Sequence, residues 1–114
     1  MIAVIFEVIP HDDKKDAYLE VAARMKAEVQ NIDGFISVER FQSLMDPNKL
    51  VSLSYWRDEA ALNEWRALQA HREAQTMGRD IMFSDYRLRV ASVMRDYGMT
   101  ERDEAPADSV ALHG

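Results

Sequence analysis

Apolar positions sort this chain into six regular stretches and a remainder. From Ile2 to Ile9 nearly every residue is apolar, many are β-branched, and Pro10 ends the run, which predicts a strand. Ile2, Val4, Phe6 and Val8 would line one face and Ala3, Ile5 and Ile9 the other, so this strand needs cover on both sides. Asp12 and Asp13 are candidate N-caps for a following helix. Tyr18, Val21, Ala22, Met25 and Val29 recur there at helical spacing, with charged residues between them. The pattern stops near Asn31, and Asp33-Gly34 supplies a turn.

Phe35 to Leu44 and Leu50 to Trp56 read as strands joined at Asp46-Pro47-Asn48, a hairpin. In the second of these, Val51, Leu53 and Tyr55 alternate with Ser52, Ser54 and Trp56. Tyr55 and Trp56 therefore point to opposite faces, one toward the helices and one toward a neighbouring sheet. Asp58 is placed to cap a second helix whose stripe is Ala61, Leu62, Trp65 and Leu68, continued by His71 and Gln75, with Gly78 as its stop. Ser84 to Tyr97 predicts a long last strand, with Tyr86, Leu88, Val90, Ser92 and Met94 on one face and Arg87, Arg89 and Arg95 on the other. After Gly98 the pattern fails.

Strand, helix, strand, strand, helix, strand is the split βαβ order. It predicts an α+β, ferredoxin-like domain over residues 1–98: a four-stranded antiparallel sheet with both helices on one face. Residues 99–114 form an acidic, flexible C-terminal tail in this reading. Strands with apolar residues on both faces leave one sheet face bare in a monomer. A second copy is the simplest cover, so a homodimer is expected.

The 114 residues suit one domain, and 47% of them are hydrophobic, enough for a core. Net charge is −6, and the stretch 100–114 holds four acids and one base, −3 of that total. The rest is only mildly acidic, which gives no basic field for nucleic acid. No run approaches a membrane span and no secretory leader is apparent. There is no cysteine, which removes disulfides and thiolate chemistry and makes a reducing cytoplasm the expected compartment.

No phosphate loop, nucleophile elbow or zinc-protease helix is present. The three histidines, at 11, 71 and 113, do not share ligand spacing on one helix, so no pre-formed metal site is expected. His71 follows Trp65 by six residues on the second helix. It reads either as a proton acceptor or iron ligand facing a cavity, or as an ordinary partly exposed histidine. Trp65 reads as a pocket wall or as core, and the arginines of the last strand as an anion stabiliser or as surface ion pairs.

Four segments carry a family likeness: DGFISVERFQS (Asp33–Ser43), LVSLSYWRDEAALNEWR (Leu50–Arg66), HREAQ (His71–Gln75) and YRLRVASVMRDY (Tyr86–Tyr97). They resemble the antibiotic biosynthesis monooxygenase-like domain of the dimeric α/β-barrel superfamily, over roughly residues 1–97. The resemblance implies a homodimer whose two sheets form a barrel, with a pocket between sheet and helices in each subunit. It implies either oxidation of a small aromatic or quinol-like substrate by O2 without a cofactor, or haem binding and degradation, or small-ligand binding without catalysis. On the first reading His71 accepts a proton, Arg87 or Tyr86 stabilises an anion, and Trp65, Tyr55, Phe6 and Leu68 line the site. On the haem reading His71 is the axial ligand. The haem-degrading branch carries an asparagine on its first strand and a longer tryptophan-to-histidine gap. Here that strand offers Phe6 and Glu7.

Overall fold

The computed structural model describes residues 1–75 and 82–114, and for residues 70–75 the backbone only. The elements are β1 (Ile2–Pro10), α1 (Lys15–Val29), β2 (Phe35–Gln42), β3 (Leu50–Trp56), α2 (Glu59–Gln75), β4 (Phe83–Ser92) and α3 (Ala107–His113). The sheet runs β2-β3-β1-β4, and every neighbouring pair is antiparallel. This is the expected ferredoxin-like α+β arrangement.

Several boundaries depart from the sequence pattern. β2 stops at Gln42 rather than Leu44. β4 ends at Ser92 rather than Tyr97, because its partner Ile2 is the first residue of β1 and the ladder has nothing further to bond. Only Val93 adds one more bond, its N–H donating to the Met1 carbonyl at 3.0 Å. Asp12 and Asp13 do not cap α1. They sit in a turn closed by the Lys14 N–H on the His11 carbonyl at 2.8 Å, and the capping position falls to Lys14, which makes no side-chain cap bond. Residues 107–113, where no pattern was visible, form the short α3.

Asp58 caps as expected: its carboxylate accepts the Ala61 N–H at 2.9 Å. That bond, then the Arg57 guanidinium at 3.1 Å, holds the Asp58 pKa below the ordinary aspartate value. Arg57 also reaches Asp33 at 3.3 Å, and its N–H donates to the Gly34 carbonyl at 2.7 Å. The Asp33-Gly34-Phe35 turn is thus tied to the start of α2. Gly34 has φ +93°, and a Cβ there would stand 2.8 Å from that of Ala61, so only glycine fits.

The ladder register assigns the faces. Ile2, Val4, Phe6 and Val8 of β1 align with Trp56, Ser54, Ser52 and Leu50 of β3, and with Ser92, Val90, Leu88 and Tyr86 of β4. Contacts with α1 and α2 mark this as the helix face. Val4, Val29, Trp56, Ala61, Leu62 and Trp65 form one buried cluster there; Val8, Tyr18, Leu50 and Met82 form another. The opposite face carries Ala3, Ile5, Glu7, Val51, Leu53, Tyr55, Arg87 and Arg89, none of which belongs to the helix-packed clusters among the described residues.

Candidate functional site

A single row crosses the helix face between the two clusters: Arg40 of β2, Ser52 of β3, Phe6 of β1 and Leu88 of β4. Strand pairing puts them in line at about 5 Å per strand. Toward β2 and β3 the face is closed by the helices. Toward β4 it is open: Tyr86, Leu88 and Val90 keep 44%, 50% and 49% of their surface, although all three point to the side where the helices lie. The open part is an exposed apolar band with an aromatic end. The Phe6 ring lies 5.8 Å from that of Tyr86 and 5.9 Å from that of Phe83, and Phe83 stands edge-on to Tyr18 at 5.4 Å.

Arg40 was not singled out by the sequence reading, yet it is the one cation that the strands place on this face among the described residues. Its Nε is buried without a hydrogen-bond partner. A buried donor left unmet is costly and calls for an acceptor. The signal was available: in Phe35–Gln42, Arg40 shares parity with Val38, which packs on the core. A lone arginine amid polar residues of an edge strand drew no attention.

The residues singled out from sequence do not all meet. Phe6 and Tyr86 are brought together. Trp65 is buried in the core, 8% exposed, with Leu68 packed at the edge of the same cluster; its indole is a structural neighbour of Trp56 rather than an open wall. Tyr55 and Arg87 are separated from these by the sheet itself. Tyr55 pairs with Ala3 and Arg87 with Glu7, both on the helix-free face, since period-two alternation sends them opposite to Trp56 and Tyr86. The strand register thus divides Trp65, Tyr55, Tyr86 and Arg87 between two sheet faces. His71 lies in α2, and its side chain is outside the described residues.

On the helix-free face, Glu7 accepts two cations on one oxygen, Arg89 at 3.2 Å and Lys49 at 3.7 Å. Beside them Glu7, Ile9, Lys49, Asp85, Tyr86 and Arg87 border a shallow concavity of about 170 Å³. Among the described residues no cluster of three His, Cys, Asp or Glu side chains could hold a metal ion, and no helix is long and apolar enough to cross a membrane.

The ferredoxin-like sheet with its helices is shared with solved structures. Rv0793 of Mycobacterium tuberculosis superposes with a TM-score of 0.73 at 21% identity, over 85% of this chain and 98% of that one. SnoaB of Streptomyces nogalater, a cofactor-independent oxygenase, gives 0.68 at 16% identity, over 83% and 94%. The haem degrader MhuD of Mycobacterium tuberculosis gives 0.67 at 14% identity, over 86% and 100%. At these identities the likeness establishes the fold alone. The sequence goes further. Residues 1–77 match the antibiotic biosynthesis monooxygenase family model, and the chain belongs to that family. A jasmonate monooxygenase of Pyricularia oryzae is 47% identical over 93 residues, which cover 82% of this chain and 43% of that protein. The chain thus spans less than half of that relative. YqjZ of Bacillus subtilis, uncharacterised, is 32% identical over 82% of this chain and 79% of its own length.

Proposed function

We propose that the exposed apolar band on the helix face of β4 is the site at which this chain, acting as a monooxygenase, oxidises a small, flat, largely apolar molecule with O2 and no cofactor. The observation carrying this reading is the bare band of Tyr86, Leu88 and Val90 beside Phe6, on a face otherwise closed. Family membership and the name of the fungal relative support it.

The chemistry asks for a substrate with an acidic CH2, as in an anthrone or a ring next to a carbonyl. Removal of one proton leaves a delocalised anion that reduces O2 and couples with it as a peroxide. Loss of water from the peroxide leaves a carbonyl. Overall CH2 and O2 become C=O and H2O, and all the electrons come from the substrate. The protein then supplies a dry apolar bed, a proton acceptor and a cation or donor for the anion. Phe6, Leu88 and Val90 are the bed, with Trp65 and Leu68 backing it from α2. Tyr86 is one donor. Arg40, two strands or about 10 Å from Phe6 and with an unmet Nε, takes the anion-stabilising role that sequence reading gave to Arg87. His71 remains the assigned proton acceptor.

Oxygen uptake with an anthrone tests the reading. Leu88→Asp and Arg40→Gln should each lower kcat/KM at least about tenfold, a loss of about 1.4 kcal/mol of transition-state stabilisation. Unchanged rates in both variants would refute the site. The haem alternative is separated by titration with haemin: a Soret shift that disappears in His71→Ala would replace the cofactor-free reading.

A further inference from the structure

The turn between α1 and β2 places an aspartate before a glycine that packing demands. Gly34 has φ +93°, and a Cβ there would meet that of Ala61 at 2.8 Å. The residue before it is Asp33, and this is the only Asp-Gly pair in the chain; no asparagine precedes a glycine. A carboxyl side chain is open to attack by the backbone nitrogen of the next residue, and a glycine leaves that nitrogen unhindered. Elsewhere an aspartate is followed by a residue with a side chain, or, at Asp46, by Pro47, which has no N–H.

Both reacting groups are uncommitted in the fold. The Asp33 side chain is 90% exposed, and its carboxylate is bonded among the described residues to Arg57 alone, at 3.3 Å. The Gly34 N–H donates no hydrogen bond among the described residues, whereas the Ile32 N–H donates to the Val29 carbonyl and the Phe35 N–H to the Ile32 carbonyl, both at 3.1 Å. Asp58 is the contrast. Its carboxylate is engaged by the Ala61 N–H at 2.9 Å and by Arg57 at 3.1 Å.

We propose that Asp33-Gly34 is a site of spontaneous covalent modification, converting in the folded protein to an isoaspartyl linkage that loosens the start of α2. The Gly34 nitrogen bonds to the Asp33 side-chain carbon, Cγ, and the carboxyl oxygen leaves as water with the amide proton, which closes a five-membered succinimide. Water then adds to the former backbone carbonyl of Asp33 and breaks its bond to the Gly34 nitrogen. One water leaves and one enters, so composition is unchanged and no oxidant takes part. The main chain now runs through the Asp33 side chain and is longer by one carbon, and the old carbonyl is a pendant carboxylate. The insertion falls inside the turn closed by the Phe35 N–H on the Ile32 carbonyl. It also displaces the Gly34 carbonyl, which accepts the Arg57 N–H at 2.7 Å, and the carboxylate that Arg57 holds. The tie between this turn and α2 is lost with them. This assignment does not depend on the reaction.

Full-length protein aged at neutral pH and physiological temperature in heavy-oxygen water tests it. The peptide containing Asp33 should gain heavy oxygen and separate into two forms of one sequence. Electron-transfer fragmentation should place isoaspartate at Asp33 at a level several-fold above that at any other aspartate or asparagine. Asp33→Glu keeps a carboxylate but has to close a larger, slower ring, and should abolish the signal there while circular dichroism stays native. The aged parent should lose thermal midpoint, and the aged Asp33→Glu protein should not. Isoaspartate absent from Asp33 in the folded protein, formed there only after unfolding in urea, or spread evenly over the aspartates would overturn the proposal. Conversion at Asp33 with an unchanged midpoint would overturn it equally.

Discussion

One sheet face in this molecule has two fates. Under the helices, Trp56 is 1% exposed, its ring stands edge-on to Phe35 at 5.3 Å, and its indole N–H donates to the buried Ser54 hydroxyl at 3.0 Å. Two strands away, on the same face, Leu88 and Val90 keep about half their surface. Both regions are built from strand residues of the same parity, so alternation alone does not decide burial. What differs is helix coverage. The closed half places large aromatic volume where it holds the fold; the open half spends apolar residues where they gain little for folding and remain available to a ligand. The two should respond to substitution in opposite ways.

The sharpest break of the comparison is at Trp56. Trp56→Ala should destabilise the protein by about 3–5 kcal/mol, from lost transfer energy and the cavity left behind, measured by urea unfolding. Gly34→Ala comes next. It forces a Cβ against Ala61 at a left-handed backbone position and should cost about 2 kcal/mol. On the open side the expectation reverses. Leu88→Ser should change stability by less than about 1 kcal/mol, because the side chain is already half in water, while raising KM for an apolar substrate several-fold. A large loss of stability at Leu88 with no change in KM would mean that the two halves are not distinct in the way the exposure suggests.

The same contrast explains what could be read from the chain. The element order and the strand parity followed from spacing alone, which is why the division of Tyr55 from Trp56 was foreseeable and why Arg87 and Tyr86 had to part. What spacing does not carry is how far a helix reaches across a sheet. Trp65 on an apolar stripe is consistent with a wall and more often with a core; in the fold it is buried in the cluster that holds Val4 and Trp56. The end of β4 was illegible for a related reason: residues 93–97 continue the alternation, but strand length is set by the partner, and β1 begins at Ile2. Arg102 organises the C-terminal segment through three side-chain bonds to residues before and after it, a tertiary cause with no periodic signature. Arg40 shows the converse. Its parity was readable, and only its unmet Nε in the folded chain gave that parity meaning.

The smallest predicted effect tests how the closed half is anchored. Asp58 joins the first turn of α2 to the Gly34 turn through the Ala61 N–H and Arg57. Its pKa is lowered in the folded state, first by the Ala61 bond and then by Arg57, so the folded protein favours the ionised carboxylate more than the unfolded chain does. The resulting stabilisation is full above the ordinary aspartate range and disappears as the pH falls through the lowered value. Asp58→Ala should therefore lower the unfolding midpoint slightly at neutral pH, and the gap to the parent should close in acid. Because the carboxylate is exposed and its pairs are screened, the Arg57 part should shrink with added salt while the helix-cap part persists. A gap that vanished completely in salt at neutral pH would assign the anchoring to Arg57 alone and leave the cap at Ala61 without a role in holding α2 over the sheet.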